Sequence, residues 1–206
     1  MIYDISPPIS ASLAVWPGDT PLSRDVLLDM RNGANITLST MKATVHLGAH
    51  ADGPNHYGKD APSIDRRPLD YYLGPCQVIH VAAQPRQRII PDMIKTAIVA
   101  PRILFATNTY PDPNVFSENF AALSSELIDW LSERKVITVG IDTPSVDLSD
   151  SKDLPTHHAI LRHDMAILEG LVLKDVPQAQ YELIALPLPL VGFDASPVRA
   201  ILRDLG

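Results

Sequence analysis

The chain has 206 residues, 46% of them apolar, with 17 Lys and Arg against 24 Asp and Glu, a formal charge of −7, and a single cysteine. This composition predicts an ordinary soluble globule able to build a real core; no run approaches the ~18 apolar residues of a membrane span, so no membrane association is expected. One cysteine excludes an internal disulfide or a Cys-rich zinc site, and an acidic balance without Lys/Arg runs argues against nucleic acid as a partner. The opening residues Met1-Ile-Tyr-Asp-Ile-Ser-Pro-Pro show no basic stretch followed by an apolar one, so a cytoplasmic location is expected.

No repeat, low-complexity tract or domain boundary is visible, and residues 1–206 read as a single domain. Nineteen prolines, about twice the usual ~5% share, favour short elements joined by rigid turns over a helical bundle. In chain order, residues 2–5 and 26–30 are short strand candidates, and 35–45 is rich in the β-branched Ile36, Thr37, Thr40, Thr44 and Val45. Residues 76–81 form a compact apolar run of the kind buried on both faces of a sheet. Residues 91–97 suggest a helix with Pro91 in its first turn, and 103–107 a further buried strand. The best helix is 124–135: Ser124 can cap it, Glu126 sits in its first turn, Leu127, Ile128 and Leu131 share a face, and Arg134 and Lys135 end it. Further compact apolar runs at 136–141 and 181–185 read as strands buried on both faces, with another helix between them after Thr156. This order predicts an α/β fold with a central mixed sheet and flanking helices.

Six of the seven histidines fall in two windows, 46–56 and 157–163. Clustering of a side chain that binds metals and carries protons points to chemistry rather than packing. The first window reads His46-Leu-Gly-Ala-His50-Ala-Asp52-Gly-Pro-Asn-His56, and imidazoles with a carboxylate suit zinc or a similar divalent ion. Gly48, Gly53 and Pro54 rule out a continuous helix, so the segment reads as a strand end turning into a rigid loop around an ion; the alternative is a polar loop with exposed histidines. The second window runs from Thr156-His157-His158 to Glu169-Gly170. On one helix His157 and Glu169 would lie ~18 Å apart, too far for a shared ion with bonds of ~2 Å. They can meet only if the helix stops at His163-Asp164 and residues 165–169 turn back. His158 and His163 read as surface or supporting residues, His80 as a half-buried strand histidine, and Cys76 as an apolar filler. No GxSxG elbow, phosphate loop or HExxH motif is present.

The first window resembles the HxGxHxDxPxH signature of the metal-dependent cyclase family, which includes bacterial kynurenine formamidases and isatin hydrolases. Ala49 stands where the wider family has threonine and is similar to the formamidase branch. Trp16-Pro-Gly-Asp19, His157-His158-Ala, Ile167-Leu-Glu169-Gly170-Leu, Tyr181-Glu-Leu-Ile-Ala-Leu-Pro187 and Asp194-Ala-Ser-Pro197-Val-Arg199 are similar to that branch too, so the resemblance spans the chain. It implies a swivelling β/α/β-like fold, a homodimer and two divalent ions, zinc or manganese. His46, His50 and Asp52 would bind one ion, and Asp52 would bridge to a second held by His157, with Glu169 contacting one or both. His56 would move the proton and Trp16 would contact substrate. The activity implied is cleavage of N-formyl-L-kynurenine to L-kynurenine and formate by hydroxide generated on the metal, within tryptophan breakdown. Hydrolysis of another aryl or cyclic amide such as isatin is the alternative. Arg102, Arg162 and Lys59 are candidates for gripping the substrate's amino-acid end.

Overall fold

The computed structural model describes residues 1–205. In chain order it contains β1 (Ile2–Asp4), β2 (Ser23–Leu28), β3 (Leu38–Lys42), β4 (His50–Asp52), β5 (Leu73–His80), β6 (Arg88–Ile89), β7 (Arg102–Ala106), β8 (Ala122–Leu123), α1 (Ser125–Glu133), β9 (Thr138–Ile141), α2 (Pro155–Arg162), β10 (Ala166–Glu169), β11 (Gln180–Ile184), β12 (Ala195–Pro197) and β13 (Ile201–Asp204). Nine strands form one mixed sheet in the order β1-β13-β11-β5-β7-β9-β10-β4-β12. Its centre, β5-β7-β9-β10, is parallel, and every other pairing within this sheet is antiparallel.

The period of two along a strand splits the core. Ile103 and Phe105 of β7 pack with Ile167 of β10 and with Leu127, Ile128 and Leu131 of α1. Leu104 and Ala106 of β7 point the other way, joining Cys76, Val78 and Leu168. Among the described residues neither α-helix packs on that second face; the sheet curls so that Ala51 of β4 joins Leu183 of β11 and Leu202 of β13 in the same cluster. The expected α/β fold with a mixed sheet is therefore present, with helices on one face and the sheet's own curvature closing the other.

Several local expectations need correction. Residues 91–97 form only one 3₁₀ turn, Pro91–Met93, because Ile94 is already extended at φ −83, ψ 108. With so few residues available, the costly helix nucleus is never repaid by further turns. Residues 35–45 contribute only Leu38–Lys42, which pairs with β2 in a separate two-stranded ribbon exposed along both strands. The strand entering the first histidine window is instead β4, inside the window. Tyr181–Ala185 is a half-buried strand rather than one covered on both faces. The helix stop expected at His163-Asp164 is present: α2 ends at Arg162, Asp164 adopts φ 51, and β10 begins at Ala166. No helix of the described residues is long and apolar enough to cross a membrane.

Candidate metal centre

Strand β4 supplies the first two functional side chains. His50 and Asp52 are two apart in a strand, so both point to one face, while Ala51 between them enters the core. Antiparallel pairing sets Glu169 at the end of β10 directly opposite His50. The two segments can approach this closely because a glycine, Gly170, follows Glu169 and lies against the Gly48 carbonyl. A Cβ on Gly170, which has φ 64, would sit 2.3 Å from the Gly48 carbonyl oxygen. That carbonyl lies 2.8 Å from His50 Nδ1, which donates to it and leaves Nε2 facing the acids. His46 arrives from the bend before β4, His56 from the 3₁₀ turn Pro54–His56, and His157 from the first turn of α2.

Asp52 lies at the centre and is 1% exposed. Its Oδ1 is 3.1 Å from His46 Nδ1 and 3.5 Å from His50 Nε2, and its Oδ2 is 3.7 Å from His157 Nε2. Glu169 Oε2 is 3.3 Å from His50 Nε2 and Oε1 is 3.8 Å from His157 Nε2; Oε1 also accepts a 2.7 Å hydrogen bond from the Val146 amide. The ligand atoms of His50, Asp52 and Glu169 lie within 4.8 Å of one another, as do those of His46, Asp52 and His56. Asp52 belongs to both groups. The fold thus brings together all six residues expected from the two histidine windows, although the grouping sets His50 beside Glu169 and His56 beside His46.

The electrostatics fit a cation. Burial disfavours charge on Asp52, yet His157 and His46 beside it hold its carboxyl well below the usual range. Burial likewise opposes charge on His46 and His157. The carboxylates outweigh it: Asp52 and Asp194 raise His46 to about 9, and Asp147 and Asp52 raise His157 to about 10. Even so, His50 Nε2 and both carboxylate oxygens of Asp52 are buried without a hydrogen-bond partner. Orphaned acceptors of this kind are costly, and imidazole nitrogens with carboxylate oxygens are the donors a divalent ion takes.

The cluster forms the floor of a cleft of about 390 Å³ whose lining includes Trp16, Tyr110, Phe116, Asn108, Lys174 and Asp175. Trp16 is 39% exposed and edge-on to Phe116, with ring centroids 5.3 Å apart, so it belongs to the cleft wall and not the core. The three basic candidates for the amino-acid end lie elsewhere. Arg102 is buried and donates to the carbonyls of Asp70, Tyr71 and Pro75, Arg162 pairs with Asp129 at 2.6 Å, and Lys59 is exposed outside the cleft. Lys174 is the one lysine or arginine lining the cleft. His163 bonds Asp129 and His158 is exposed, both away from the centre. His80 is more exposed than expected, with Nε2 2.8 Å from the Val176 carbonyl. Cys76 is a buried filler whose thiol burial pushes up to about 12.

Two acids were missed. Asp194 Oδ2 is 3.0 Å from His46 Nε2 and 3.6 Å from His56 Nδ1, and Asp147 Oδ2 is 2.8 Å from His157 Nδ1. Asp194 lies within a segment that carried part of the family resemblance, but neither acid has a ligand-like spacing to the histidines. Their placement depends on β12 pairing with β4 and on the loop after β9.

Comparison with known proteins agrees with this architecture. The chain is 45% identical over its full length, and over 99% of the relative, to a kynurenine formamidase of Bordetella petrii. A solved structure described as a potential metal-dependent hydrolase with cyclase activity superposes with TM-score 0.85 at 28% identity, covering 98% of this chain and 96% of its own. An isatin hydrolase bound to the product analogue thioisatinate has the same fold, with TM-score 0.85 at 19% identity over 98% of this chain and 91% of its own. The Cyclase family model matches residues 3–148. On its sequence match and its fold together, the chain belongs to the cyclase family.

Proposed function

We propose that this protein is a single-domain arylformamidase, acting in the kynurenine pathway, that hydrolyses N-formyl-L-kynurenine to L-kynurenine and formate at a centre of two divalent ions. The observation that carries the reading is the set of orphaned buried atoms on His50 and Asp52, enclosed by His46, His157 and Glu169 under an aromatic-walled cleft. The full-length formamidase relative supports the substrate. In this reading His46, His50 and Asp52 would hold one ion, His157 together with Asp52 would hold a second, and Glu169 would serve one or both. Zinc is the first choice from the family resemblance, and the nitrogen and oxygen donor set accepts manganese as well. Such ions supply an acidified water and a polarised carbonyl oxygen.

The chain's own residues supply the rest. Trp16 and Phe116 offer flat apolar surface for the aryl ketone. His56 reaches the floor with Nδ1 towards Asp194, leaving Nε2 free to take a proton from water and return it to the departing arylamine nitrogen. Lys174 is assigned to the substrate carboxylate and Asp175 to its ammonium group. Lys174→Met is expected to raise KM for N-formyl-L-kynurenine while leaving an aryl formamide without the amino-acid end unaffected.

The test is formate release by metal-replete protein, its loss on chelation and its return with zinc or manganese. No turnover in zinc-replete protein refutes the reading, and faster opening of isatin in the same assay reassigns the substrate. We also propose a homodimer. Val26, Leu27, Leu28, Leu38 and Met41 of the β2–β3 ribbon are exposed, and an isolated two-stranded ribbon is marginal in water without a covering surface. Light scattering on purified protein decides between monomer and dimer.

A further inference from the structure

Asp147 is a fully buried acid outside the proposed ligand set. Its Oδ2 accepts from His157 Nδ1 at 2.8 Å, from the His157 amide at 3.1 Å and from the Thr156 amide at 3.1 Å. Its Oδ1 accepts from Arg88 Nη1 at 2.7 Å, and the same nitrogen reaches the Leu123 carbonyl and Thr156 Oγ1. Arg88 and Leu123 lie on β6 and β8, a small parallel pair beside the main sheet. Asp147 is thereby held by an arginine that is itself anchored to two other elements.

Two features make this more than a buried ion pair. First, the residue before α2, Leu154, has φ 40 and caps nothing with its side chain. The carboxylate of Asp147 takes over as acceptor for the first amides of α2, fixing where the helix starts. Second, an ionised carboxylate only accepts, so the imidazole nitrogen facing it must donate. Nδ1 of His157 therefore keeps its hydrogen, and Nε2, which faces Asp52 and Glu169, is the nitrogen whose proton a cation would displace. A helix cap alone would need the backbone bonds and not the bond to Nδ1.

We propose that Asp147, braced by Arg88, is a positioning residue that presents His157 to a divalent ion through Nε2. This rests on the metal reading above. Outer partners of a ligating histidine set its tautomer and ring orientation, and their loss typically weakens metal affinity ~10–100-fold.

The test is calorimetric titration of zinc into metal-stripped wild type, Asp147→Asn and Arg88→Met, with circular dichroism establishing that each is folded. Wild type is expected to bind two zinc ions. Asp147→Asn is expected to weaken one of them ~10–100-fold while leaving the other near its wild-type affinity, with Arg88→Met changing the same ion in the same direction. A purely structural role would lower melting temperature without separating the two ions. Folded variants that bind both ions as wild type does overturn the proposal. Failure of the wild type to bind zinc overturns the metal reading itself, a different and distinguishable result. If neither variant folds, long-range proton–nitrogen spectra of zinc-loaded wild type decide: a protonated Nδ1 and zinc-shifted Nε2 on His157 are expected, and a zinc-shifted Nδ1 refutes the assignment.

Discussion

Asp142, which lines the cleft, and Asp52, which sits behind the cleft's histidines, are both buried aspartates, yet their surroundings differ in kind. Asp142, after the end of β9, accepts hydrogen bonds from the Thr107 amide, the Thr107 hydroxyl and the Asn108 amide at 2.7–2.8 Å. Burial raises its pKa, and those donors only partly offset it. Asp52 is flanked by His46, His50 and His157 and held well below the usual carboxylate range, while both its oxygens lack a hydrogen-bond partner. One aspartate is satisfied by neutral donors of its own chain; the other is arranged for positive charge. Buried acidity alone does not mark a functional carboxylate. The character of the donors around it does.

The largest effect should separate these two residues directly. Asp52→Asn is expected to abolish both metal binding and formate release, read by metal analysis and assay on the same preparation. His56→Ala should retain its ions and lose turnover by ~10²–10⁴-fold, the usual contribution of a positioned acid–base group; unchanged activity would refute its role.

A pH test follows from the raised histidines. In metal-stripped protein, His46 near 9 and His157 near 10 contribute stability that is complete below the ordinary value of 6.5 and lost as pH rises through those values. Zinc needs neutral imidazole and must displace both protons, so at pH 7.5 binding is expected to release about two protons. Calorimetry in buffers of different ionisation enthalpy measures the number, and zero release contradicts the assignment. The apparent affinity of each ion should then rise by up to ~10-fold per pH unit below pH 9, since each displaces one of the two protons.

Trp16→Ala should raise KM about tenfold with kcat nearly unchanged, equivalent to ~1.4 kcal/mol of lost stacking. The smallest effect belongs to the other aspartate. Asp142→Asn should keep both ions and cost ~1–3 kcal/mol in denaturant unfolding, because a buried amide or hydroxyl loses its acceptor. If Asp142→Asn instead strips the metal, the distinction between the two aspartates fails.

The clustering of the proposed ligands was legible in the sequence because its two halves are local. His46, His50, Asp52 and His56 lie within eleven residues, and the distance limit on a metal bond required α2 to stop before Glu169. Strands β5, β7 and β9 and helix α1 were legible for the same reason, since their apolar runs and the Ser124 cap are written in short windows. The expected helix at 91–97 and the exposed ribbon mark the limit: β-branched content gives strand tendency but not sheet membership, and short helical tendency does not overcome nucleation.

Taken alone, the sequence determined which side chains could bind a cation, where the chain must turn back to gather them, and the α/β class. Only the tertiary structure decided which strand carries His50 and Asp52, that Asp194 and Asp147 stand behind the histidines, and that Lys174 rather than Arg102, Arg162 or Lys59 lines the cleft. The reason is physical. Metal ligands are recognised by donor type and short spacing, whereas their supporting carboxylates and the cleft walls are joined by strand pairing and sheet curvature over long stretches of chain. Those long-range contacts leave no period in the sequence to read.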